Sequence, residues 1–212
     1  MSTAATRFVA LEPDEAFARQ VIAYKERVRA CVGDQVYLSH PPHMTLYASV
    51  FPEGADLAGP LGEAAARLSA PRVAIRGWHV FEADQLTGNH TVVCNVTDES
   101  LPRLRAIQRA VVECASPVRD RRAAHSCYAA AWERLSAEER QNVERFGFPF
   151  AGSIWRPHVT VASIRPDDWA AAWSALEHAA PEADARFVFL SLFGFEGDEP
   201  FRIERFVLGD AE

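Results

Sequence analysis

Cysteine is scarce: Cys31, Cys94, Cys114 and Cys127 are the only four, and no pair has CxxC spacing. A disulfide framework or a thiolate zinc site is therefore not expected, and the thiols are read as reduced and mostly buried. Long hydrophobic runs are missing too, since no stretch approaches the roughly 18 apolar residues of a membrane span. The opening "MSTAATRFVALEPDEAF" has no apolar core of signal-peptide length, so a cytoplasmic protein is expected. No Gly/Ser/Pro-rich stretch marks a flexible linker, which points to one domain over residues 1–212. Positive charge is short, with 22 Lys and Arg against 29 Asp and Glu and a formal net charge of -7. Holding long nucleic acid by its phosphates wants a cation at each contact, so that class of partner is not expected. A small phosphate in a local pocket remains compatible with this balance.

What is present reads as an ordinary folded chain. Hydrophobic residues make up 49% of the 212, enough to bury a real core. "RFVAL" at residues 7–11 suits a short strand, and Pro13, Asp14 and Glu15 suit a helix start. Phe17, Val21, Tyr24 and Val28 then recur at helical spacing, with Gly33 as the stop. Next comes "PPHMTLYASV", residues 41–50, in which two prolines exclude a helix just before His43. "RPHVTVASI" repeats the arrangement at residues 156–164. After each string the pattern gives a strand, a helix and two further strands. The predicted fold class is therefore α+β and bilobal, with two pseudo-symmetric lobes. Each lobe has an antiparallel sheet with helices outside, and a central cleft lies between the sheets. The first lobe is placed at about 34–98 and the second at about 151–212. An unmatched insert spans about 116–150. It holds a capping-box pattern at Ser136 and Glu139 and a cluster of Arg119, Arg121 and Arg122 read as solvated surface.

In an extended strand His43 and Thr45 point one way while Met44 and Leu46 point the other, and His158 and Thr160 oppose Val159 and Val161 likewise. Each string buries its apolar pair and presents a ring and a hydroxyl. By composition about 0.2 such strings are expected by chance. Two, each preceded by proline and each opening the same element series, are a strong signal. If the lobes face each other, both His–Thr pairs converge on a space that suits a tetrahedral phosphate.

PHMTL and PHVTV resemble the paired His-x-Thr/Ser-x motifs of the 2H phosphoesterase superfamily, which includes RNA 2′,3′-cyclic phosphodiesterases and 2′-5′ RNA ligase-like proteins. The likeness follows the element order along the chain and is specific at eight positions. It implies a metal-independent phosphodiesterase with no cofactor, acting on a small cyclic phosphate, a nucleotide or an RNA terminus. It makes His43 and His158 the catalytic pair, with His158 as base and His43 as acid, and Thr45 and Thr160 the phosphate-binding hydroxyls. Two departures bear on substrate. The histidines stand 115 residues apart, farther than in compact RNA-end members, and Tyr47 to Val50 continue as a strand where those members carry an aromatic-Leu-Gly turn. A smaller cyclic phosphate fits these differences.

Two neighbours join the candidate set. Arg156, two residues before His158, could offer a guanidinium fork to phosphate, and Tyr47, four after His43, would share its face and stack on a base or fill the cleft floor. His40, His79, His90, His125 and His178 receive no role. Trp169 and Trp173 read as core packing. Two other classes compete with the enzyme: a phosphate- or nucleotide-binding module without turnover, and a metal-dependent hydrolase with His43 and His158 as ligands. A monomer with no membrane partner is the default expectation.

Overall fold

The computed structural model describes residues 4–210. Its elements run β1 (Ala4–Pro13), α1 (Glu15–Val32), β2 (Met44–Pro52), α2 (Ala58–Ala66), β3 (Arg72–Phe81), β4 (His90–Val96), α3 (Leu101–Ala115), α4 (Arg121–Cys127), α5 (Ala137–Phe146), β5 (His158–Ile164), α6 (Trp169–Leu176), β6 (Glu182–Glu196) and β7 (Glu199–Val207). Local chemistry explains the helix ends. Asp14 caps α1 by accepting from the Phe17 amide at 3.0 Å, and Gly33 closes it at φ 73°. The stripe Phe17, Val21, Tyr24 and Val28 is buried as predicted, and Lys25 is buried beside it. Ser136 and Glu139 form the expected reciprocal capping box at the start of α5.

Every strand pairing is antiparallel, in the order β2-β1-β6-β3-β4-β5, with β7 also paired to β6. The class is α+β, as expected. The strands group otherwise than their order along the chain suggests: β3 and β4, which follow the first motif, stand beside β5 of the second through the β4–β5 pairing, while β6 and β7 join β1 and β2. The physical reason is β6. Its 15 residues extend roughly 50 Å at strand rise. Its first part pairs with β3 and its later part with β1 and β7, so one strand serves both halves. The repeated unit is also longer than the motif series suggests. The order β1-α1-β2-α2-β3 returns as β4-α3-β5-α6-β6, with the insert between α3 and β5.

One face of the sheet carries the main core, where Val9, Leu11, Met44, Val92, Cys94 and Val159 pack against apolar residues of α1, α2, α3 and α6. Phe8, Ala10 and Phe193 form a small separate cluster with Ala48. Because neighbours along β1 alternate between the clusters, the second one marks the opposite face. β2 and β5 are the two ends of the pairing order, yet they touch one another. The Trp155 indole N–H, just before β5, donates to the Thr45 carbonyl in β2 at 3.1 Å. The sheet therefore curls until its two motif-bearing ends meet.

Two surface expectations change. Arg119 is buried, and its guanidinium donates to the Ser116, Glu144 and Arg145 carbonyls, closing off the end of α5. All four cysteines are free, but Cys31 and Cys127 are exposed. Among the described residues, no helix is long and apolar enough to cross a membrane.

Candidate active site

Both motif histidines are held in the same way. His43 Nδ1–H donates to the Pro41 carbonyl at 2.7 Å, and His158 Nδ1–H donates to the Arg156 carbonyl at 2.8 Å. A carbonyl can only accept, so each Nδ1 carries the proton and each Nε2 is left for other work. Proline supplies the geometry. Pro42 and Pro157 hold the residue before them extended, which aims its carbonyl back at the ring two positions on.

Apolar rings pack against both imidazoles. Phe8 lies 5.0 Å and Phe193 6.0 Å from the His43 ring, and Phe81 lies 5.1 Å from His158. Burial pushes the His43 pKa down to about 4, against its carbonyl bond and with help from the charges of His40, Lys25 and His158. Burial likewise lowers His158, while the Asp84 carboxylate opposes the shift. Each histidine is nonetheless only half-buried by surface.

Thr45 and Thr160 stand two residues after the histidines, opposite Ala10 and Val93 in their ladders. Ala10 and Val93 are fully buried and lie outside the main core, so both hydroxyls share the face away from it. Among the described residues, neither hydroxyl is paired with another group. The register breaks at the same place in both strands. Thr45 and Tyr47 oppose the consecutive pair Ala10 and Val9, so Leu46 is the extra, bulged residue. Thr160 and Ala162 oppose Val93 and Val92, so Val161 is its counterpart. Each bulged carbonyl is taken by a buried side chain from the first helix of the other half. Gln108 of α3 donates to the Leu46 carbonyl at 3.1 Å, and Lys25 of α1 donates to the Val161 carbonyl at 3.0 Å.

The bulge corrects the reading of Tyr47. Shifting the alternation turns its ring into the main core, where it is fully buried and its hydroxyl donates to the Phe146 carbonyl. Arg156 is exposed and donates to Asn95 Oδ1 at 3.2 Å, and Asn95 is the ladder partner of His158. Lys25 and Gln108 were missed by sequence reasoning. A signal existed for both: each is a polar residue inside an apolar helical stripe, and Lys25 is the only lysine in the chain. His40 sits near, its ring 6.5 Å from His43, with Nε2 on the Asp198 carbonyl. Among the described residues, no three His, Cys, Asp or Glu side chains gather as a metal-ligating group.

The family model described as "2'-5' RNA ligase superfamily" matches residues 13–199. No curated protein matches the chain. Among solved structures, TT0787 of Thermus thermophilus is 16% identical with a TM-score of 0.54, covering 98% of this chain and 100% of its own. E. coli LigT in apo form is 14% identical with a TM-score of 0.51, covering 99% and 100%. At these identities the likeness concerns the fold.

Proposed function

Because the chain belongs to the 2′-5′ RNA ligase superfamily of 2H phosphoesterases, we propose that it opens a 2′,3′-cyclic phosphate of a nucleotide or RNA end, without a metal. The observation that carries this reading is the pair of matched imidazoles, each with Nδ1 anchored and Nε2 available, on sheet ends that meet. Water attacks phosphorus and gives its proton to Nε2 of His158. The bond from phosphorus to one ribose oxygen breaks, and that oxygen takes the proton from Nε2 of His43. Thr45 and Thr160 donate to the non-bridging oxygens as charge builds there. E. coli LigT has been solved with phosphate and with 3'-AMP, and ligands of that size suit the proposal.

The test is hydrolysis of nucleoside 2′,3′-cyclic phosphates in EDTA, with products assigned by phosphorus NMR. Turnover is expected in wild type, and His43→Ala and His158→Ala should each lose about 10²- to 10⁴-fold in kcat while still binding product. Tight binding with no turnover would leave only a phosphate-binding module. Activity abolished by EDTA and restored by zinc would establish the metal-dependent alternative instead.

A further inference from the structure

A cleft opens beside His158, lined by Asn95, Arg156 and Pro157. Asn95 faces His158 across the β4–β5 ladder. Cys94 and Val96 belong to the main core, so Asn95 and Thr97 share the opposite, site-facing side of β4. From this point the cleft, of about 520 Å³, runs to the start of α3, bounded by residues 153–157. Two arginines line it. Arg156 reaches Asn95, and Arg105 donates to the Ser153 carbonyl at 3.2 Å. The Nε of Arg105 is buried without a hydrogen-bond partner. Asp98 is the one acid among the described lining residues, and Leu101 and Ile154 add apolar surface.

We infer that this cleft is a subsite for a second phosphate of the substrate, so that the preferred substrate is a nucleotide unit with a phosphate beyond the reacting one. The inference rests on the phosphodiesterase reading only for where the reacting phosphate sits. Guanidinium groups pair with phosphate oxygens as planar forks, which suits a cleft lined by two arginines. The volume exceeds what a bare anion needs and falls in the range of ligand clefts. Asp98 repels an anion, which favours a phosphate position beside the arginines. The wall itself is rigid, because the Trp155 indole is committed to Thr45.

Equilibrium binding of adenosine 3′,5′-bisphosphate and adenosine 3′-monophosphate to the full chain, by titration calorimetry, tests the subsite. The bisphosphate should bind about tenfold tighter or more. Arg105→Gln and Arg156→Gln should each shrink the ratio of the two affinities, a quantity that cancels any loss common to both ligands. Arg156 is exposed, so its replacement does not threaten the fold. Equal affinities in wild type, or a preference that survives both substitutions, would overturn the subsite. The measurement needs no turnover, so it can fail while hydrolysis persists and succeed where hydrolysis does not occur.

Discussion

At the scale of single residues, the two histidines show how a sequence motif becomes chemistry. Their spacing to threonine was legible because strand pleating has a fixed period of two. Their tautomer was not, since it depends on which group meets Nδ1, and that is a backbone carbonyl set by the following proline. The depressed pKa of His43 gives a signed expectation. As the proposed acid it must carry a proton, yet burial among apolar rings holds it at about 4. Its protonated fraction in the free protein therefore falls as pH rises through that value. The optimum of kcat/KM should lie on the acid side of neutrality, and that of kcat at higher pH, because a bound phosphate anion favours the imidazolium. NMR titration of the His43 ring with and without inorganic phosphate checks the cause. An unshifted ring would remove the coupling. Replacing either hydroxyl, as Thr45→Val or Thr160→Val, should lower kcat about 10²-fold with the fold intact, read by steady-state kinetics beside a melting curve.

At the scale of elements, the paired bulges carry the most information. Periodicity predicted β2 and β5 as plain strands, because a one-residue bulge leaves almost no mark on an apolar alternation. In three dimensions each bulge is pinned by a helix from the other half, through Gln108 or through Lys25. Lys25 also donates to the Tyr37 carbonyl on the segment leading to His43, so one ammonium ties both motifs together. Lys25→Met should cut kcat by about tenfold or more with KM little changed, whereas Lys25→Gln, which copies its counterpart, should restore much of the loss. Steady-state kinetics on both variants decides it. Stability offers an independent readout. Burial lowers the Lys25 pKa from 10.5 to about 7, so between those values the unfolded chain binds a proton that the folded chain does not. Stability from Lys25 therefore rises with pH from 7, and urea midpoints between about pH 7 and 9 should climb more steeply in wild type than in Lys25→Met. Above that window the Cys94 thiol, pushed up to about 12 by burial, acts in the opposite sense.

At the scale of the whole molecule, two features join what the sequence separates. β6 runs through both halves of the sheet, and the ends of that sheet meet through Trp155 and Thr45. The insert is a brace on the back of β2. Phe146, Phe148 and Phe150 pack with the main core, and the Ser49 hydroxyl donates to the Gly147 carbonyl. Tyr47→Phe removes one hydrogen bond to this brace and nothing from the cleft. It should lower stability by about 1 kcal/mol with kcat unchanged, measured by urea unfolding and steady-state kinetics; a loss of kcat would return Tyr47 to the site.

By itself the sequence determined the α+β class, the capped helices, the duplicated strings and the face that each His and Thr would share. Those properties depend on local periodicity and on proline, capping and turn chemistry, all written within a few residues. Only the tertiary structure decided which strands pair, where the bulges turn Tyr47 inward, and how Lys25 and Gln108 reach across. These depend on contacts between residues far apart in the chain, where the burial of a shared core selects one pairing among several that local preference allows.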